Sequence, residues 1–160
     1  MKKNLCLLAA AFFALSFSAF AQQSGLRVDD GSIVSKPSKY SVAETIDRVE
    51  KIAKEDGLVI NARIDFAAIA KKAGVELRPS QLLILGREMG RNTSAMIAEA
   101  PLAAIDLPFK ALAWEDAQGK IWLSYTNGSS LLKRWAIKSA AQNAANIDAS
   151  FDRIMSAALQ

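Results

Sequence analysis

The chain has 160 residues, 51% of them hydrophobic and 22% charged, with a formal charge of +4. It holds no histidine and a single cysteine, Cys6. This excludes a Ser-His-Asp or Cys-His nucleophile and leaves zinc, copper, haem and iron–sulfur clusters without their usual ligands.

The first segment reads as a secretory signal of bacterial style. Lys2 and Lys3 form a positive start, Leu5 to Phe20 is almost wholly apolar, and Ala19-Phe20-Ala21 is an A-x-A cleavage pattern. The apolar run is shorter than the roughly 20 residues that span a bilayer. Cys6 lies at its start and not at its exit, which argues against a lipoprotein. Cleavage after Ala21 takes 21 residues from the 160, leaving 139, and removes Lys2 and Lys3, so +4 becomes +2. The expected location is the periplasm or the medium, with no stable membrane anchor after cleavage. No cysteine is left for a disulfide within one chain, and the weak charge lacks the clustered basic face that nucleic acid calls for.

Residues 22–39 are polar and without clear periodicity, and read as an N-terminal arm or linker with at most a short strand at Ile33-Val34. The folded body is expected over 40–138. Ser41-Val42-Ala43-Glu44 has the form of a capping box, and Val42, Ile46, Val49, Ile52 and Ala53 recur at helical spacing up to a Gly57 cap. Leu58 to Ile64 alternates as a strand, with Leu58, Ile60, Ala62 and Ile64 on one side. Residues 67–73 form a short helix closed by Gly74, and Gln81 to Leu85 is an apolar strand. Thr93 to Glu99 is a helix capped by Asn92 or Thr93 and ended by Pro101. Phe109 to Trp114 and Ile121 to Tyr125 are the arms of a hairpin with Gly119 in its turn. Leu131 to Ile137 is helical. Residues 139–160 form a C-terminal amphipathic helix with Ile147, Phe151, Ile154, Met155 and Ala158 as its apolar stripe. Strands come in groups with helices between groups, which predicts α+β with an antiparallel sheet and helices packed on one face, a two-layer sandwich.

The opening helix around Glu44-Thr45 and Glu50 is followed by Ile64-Asp65 and by Gly74-Val75-Glu76-Leu77-Arg78-Pro79. Then come the strand Gln81 to Gly86, Asp106-Leu107-Pro108, the hairpin Asp116 to Gly119, and Tyr125. In this order they resemble the domain of unknown function 302 family over about residues 38–137. The resemblance implies a small α+β sandwich, often dimeric, and no established activity. Two positions depart from the family pattern. Phe66 stands where many members carry histidine, which weakens any role built on an Asp-His pair. Arg87-Glu88-Met89-Gly90-Arg91 replaces a common Asn-Pro after the strand-ending glycine.

No G-x-G-x-x-G, P-loop or C-x-x-C-H pattern occurs, so no cofactor and no metal is expected. The remaining acid/base candidates are Asp65, Glu76 and Asp106, which turns could gather with Arg63 and Arg78 at one edge of the sheet. The structural alternative is that Asp65 caps residues 67–73 and Arg78 pairs with Glu76 or Asp106 to fix a turn. Trp122, across the hairpin from Trp114, and Tyr125 complete the ligand-binding candidates, against a role in cross-strand packing. The leading expectation is a secreted, non-enzymatic module, a homodimer that binds a small apolar or anionic ligand or serves a structural role. The alternatives are a histidine-free enzyme using those carboxylates, or an envelope interaction module whose C-terminal stripe is exposed.

Overall fold

The structure is a computed structural model that describes residues 31–88 and 91–160; the expected signal peptide and its cleavage site lie outside them. The strands are β1 (Ile33–Ser38), β2 (Val59–Asp65), β3 (Ser80–Gly86), β4 (Phe109–Glu115) and β5 (Ile121–Thr126). The helices are α1 (Val42–Glu55), α2 (Phe66–Lys72), α3 (Arg91–Glu99), α4 (Gly128–Arg134) and α5 (Ala144–Ala158), with short 3-10 turns at Pro101–Ile105 and Ala141–Asn143.

Local chemistry sets the ends of α1. Ser41 Oγ accepts the Glu44 N–H at 3.2 Å, and Gly57 leaves the helix at φ 77°, a left-handed conformation that glycine adopts without strain. Its apolar stripe, Val42, Ile46, Val49 and Ala53, is buried. That stripe lies on a five-stranded sheet of order β1-β5-β4-β3-β2 in which every neighbouring pair is antiparallel.

Strand alternation divides the sheet into two unlike faces. Leu83, Leu85, Ala111, Ala113, Leu123 and Tyr125 point to one side and are buried beneath α1 and α5. The alanines of β4 let α1 approach the backbone closely. Phe151, Ile154, Met155 and Ala158 of α5 complete this core. Burying side chains of this size stabilises the fold by about 1.5–3 kcal/mol each. On the other side Leu82, Ile84, Leu112, Trp114 and Trp122 are only half-buried. A smaller core joins Met96, Ala103, Leu131, Leu132 and Ile137 around α3 and α4. The fold is the expected α+β sandwich.

Four local expectations change. Residues 33–38 are not a linker: they form an edge strand, paired from Ile33 with Thr126 to Ser38 with Ile121. The β2 alternation breaks at a bulge between Ile60 and Ala62, so Ile60 sits opposite Leu85 of the buried face while Ala62 and Ile64 sit opposite Ile84 and Leu82 of the open face. Helix α3 already includes Asn92 and Thr93, so neither is its cap. The C-terminal stripe is not an exposed surface; it is core, with only Ile147 half-buried.

Candidate functional site

Two cavities stand at opposite ends of the strands. The first, about 660 Å³, lies where β2 meets α2 and β3 begins, and is lined in part by Asp65, Lys71, Glu76, Gln81 and Glu115. Asp65 is held by structure there. One carboxylate oxygen accepts the Ala68 N–H at 2.8 Å, capping α2, and the other accepts Gln81 Nε2–H at 2.9 Å. Arg63 donates to Gln81 Oε1 at 2.7 Å and pairs with Asp47 at 2.5 Å and Glu50 at 3.6 Å, tying β2 to α1. Glu76 and Arg78 are exposed.

Asp106 does not join this group. It precedes β4, whose Phe109 pairs with Leu85, whereas Asp65 pairs with Gln81 at the far end of β3. Its carboxylate accepts Arg134 Nη1–H at 2.9 Å and Trp135 Nε1–H at 2.7 Å. The expected pairing of Arg78 with Glu76 or Asp106 is not formed among the described residues. The three carboxylates therefore cannot act as one site.

Trp122 and Tyr125 also serve packing. Trp122 sits opposite Trp114 with ring centroids 6.5 Å apart, and its Nε1–H donates to Asp116 at 2.7 Å. That bond, with the backbone N–H of Lys120 and then of Gln118, holds the Asp116 carboxyl below the usual range. Tyr125 points into the core, and its hydroxyl donates to Asp152 at 2.7 Å. Burial first, and that bond second, raise its pKa above the ordinary tyrosine value.

The second cavity, about 630 Å³, lies at the other end of the strands, between α3, the 101–108 segment and α5. Leu58, Met96, Leu107, Phe109, Ile147 and Phe151 give it an apolar floor. The Phe109 and Phe151 rings meet at 4.4 Å and 46°. Gly86 closes β3 against Pro108, where an added Cβ would come within 3.4 Å of that ring. The rim is polar: Asn61, Arg87, Asn92, Thr93, Asn143, Asn146 and Ser150 all line it. Asn61 reaches this rim because the β2 bulge leaves it without a partner on β3. Asn61, Asn143 and Asn146 make no side-chain hydrogen bond to the described protein. Among the described residues of the lining, none is aspartate or glutamate and Arg87 is the one ionisable residue.

The adjoining segment is fixed by Glu99, which accepts Lys138 N–H at 2.7 Å and Ser139 N–H at 3.1 Å. The Ser139 hydroxyl, followed by those backbone groups, keeps the Glu99 carboxyl below its usual range. This cavity draws on none of the sequence candidates. The charged loop beginning at Arg87 is the one signal that pointed toward it. Carboxamides scattered over β2, α3 and α5 carry no spacing that sequence inspection could connect.

Among the described residues, no group of three or more His, Cys, Asp or Glu could hold a metal ion, and no helix is long and apolar enough to cross a membrane. Two proteins named fluoride-specific ion channel FluC 1, from Brucella suis biovar 1 (strain 1330) and Brucella abortus biovar 1 (strain 9-941), are each 39% identical to this chain over 108 residues, or 68% of it. The match takes in 42% and 39% of those proteins, so the chain spans about two fifths of the curated relatives' length. A crystal structure of an uncharacterized conserved DUF302 protein from Bacillus stearothermophilus shares the fold, with a TM-score of 0.61 at 17% identity over 80% of this chain and 95% of that one. The model of the domain of unknown function DUF302 matches residues 34–158. The chain belongs to the DUF302 family.

Proposed function

We propose that this chain is an exported, non-enzymatic small-molecule-binding module that acts as a homodimer. The carrying observation is the cavity over Phe109 and Phe151, which joins an apolar floor to carboxamides that make no internal bond. A concave apolar pocket with a few convergent polar groups is the usual form of a ligand site. Catalysis has weaker support. Asp65, Asp106, Asp116 and Asp152 each accept internal hydrogen bonds, and none lines that cavity.

Export rests on Lys2, Lys3, the apolar run and the Ala19-Phe20-Ala21 pattern. The dimer rests on the open face of the sheet, where Leu82, Leu112, Trp114 and Trp122 are half-buried and Ile33 is 53% exposed. Two such faces related by a two-fold axis would cover one another. Native mass spectrometry of the protein purified from its own periplasm tests both parts. The expected spectrum is a dimer with a discrete added mass. A bare monomer that retains nothing would overturn the reading.

The Brucella relatives favour a second reading, in which the domain serves a membrane transport protein to which it is joined. Removing the matching residues from a relative and measuring fluoride flux into liposomes tests it; unchanged flux removes the support.

A further inference from the structure

We propose that the cavity between α3, the 101–108 segment and α5 is selective for an amphipathic monocarboxylate, a single hydrocarbon body carrying one carboxylate. The proposal rests on the binding reading above and adds the ligand class and the residue that sets it.

Three features point to that class. The floor of Leu58, Met96, Phe109 and Phe151 offers apolar side chains alone, so the buried part of the ligand must be apolar. The rim carries the opposite chemistry, and its sign is one-sided. Among the described residues of the lining Arg87 is the only ionisable one, and none is a carboxylate. An ammonium head group would therefore meet a like charge with nothing to neutralise it. A carboxylate would meet a guanidinium able to donate two parallel hydrogen bonds, the geometry in which arginine binds carboxylates most strongly.

The carboxamides of Asn61, Asn143 and Asn146 supply further donors from β2 and from the start of α5. The one arginine among the described lining residues suits one charge better than two. Glu88, beside Arg87, is exposed and is not part of the lining, and three other nearby acids have partners elsewhere. Glu99 accepts the N–H groups of Lys138 and Ser139, Asp148 accepts that of Ser129, and Asp56 pairs with Arg153.

Isothermal titration of the signal-free protein with octanoate, 1-octanol and octylamine separates the contributions. These probes share a chain and differ in the charge of the head. Octanoate is expected to bind at least tenfold more tightly than octylamine. Arg87→Gln is expected to weaken octanoate roughly tenfold, as loss of a charge-assisted hydrogen bond does, and to leave 1-octanol unchanged. Ala95→Trp, at an exposed lining position of α3, should block both octanoate and octanol while the fold persists.

Equal affinity for all three probes, or an Arg87→Gln variant that binds octanoate as the parent does, would overturn the ligand class and leave the binding module standing. Failure of all three probes, with a different small molecule retained in native mass spectra, would do the same. Failure of all three with nothing retained would remove the binding reading as well.

Discussion

Tyr125 shows how this core accommodates a polar group. Its ring is 4% exposed, and its hydroxyl reaches Asp152, which also accepts Lys36 Nζ–H at 2.6 Å. Tyr125→Phe should cost about 1 kcal/mol in urea unfolding, the net worth of one such bond. The same pair fixes two signs of pH dependence. The phenol pKa is raised in the fold, so its contribution is complete below the ordinary tyrosine value of about 10 and is lost as pH climbs toward the folded value. The Asp152 carboxyl is lowered, by Lys36 first and then Tyr125, so its contribution is present above the ordinary value of about 4 and is lost as pH falls through the folded value. Asp152 is half exposed, so solvent keeps that acid effect small. Gly128 is the other sensitive position. A Cβ there would collide with Ile147 Cγ2, so Gly128→Ala should cost about 1–3 kcal/mol by overpacking. Ile147→Ala in the same chain should return part of that loss, and thermal unfolding of the two variants checks it.

At the scale of elements, local stability is uneven. Helix α2 has seven residues and buries none of them, so it depends on the Asp65 cap and the Gly74 turn. Asp65→Ala should cost about 1 kcal/mol and speed amide exchange across 66–72, whereas Glu76→Gln should leave both unchanged. An Asp65 with no structural duty would leave stability and exchange unchanged on substitution. The elements legible in the sequence were those with both a period and a boundary, namely α1 between Ser41 and Gly57, and the β4–β5 hairpin around Gly119. Strand β1 was legible only at Ile33-Val34, because the rest of it, Ser35, Lys36, Pro37 and Ser38, buries too little to alternate in hydrophobicity. The bulge at Asn61 was illegible because its cause, the register against β3, lies more than twenty residues away along the chain. The cavity was missed for the same reason, since its walls come from five separate segments. Asp106 was misplaced because adjacency to a turn does not say which end of the sheet the turn occupies.

At the scale of the molecule, the two faces of the sheet differ in what they need. One is closed by α1 and α5, and the other leaves Leu112 and the Trp114–Trp122 pair half-covered. Leu112→Glu should convert a dimer to a monomer in light scattering with an unchanged circular dichroism spectrum. The melting temperature of the parent should rise with protein concentration while that of the variant stays fixed. A parent that is monomeric at every concentration would contradict the face-to-face pairing.

Helix α5 supplies Phe151, Ile154, Met155 and Ala158 to the core that α1 begins. The main-chain oxygens of Ala158 and Gln160 accept bonds from Arg48 and Lys39 beside that first helix. The two helices far apart in the chain are therefore sealed together over one sheet face, and neither covers that face without the other.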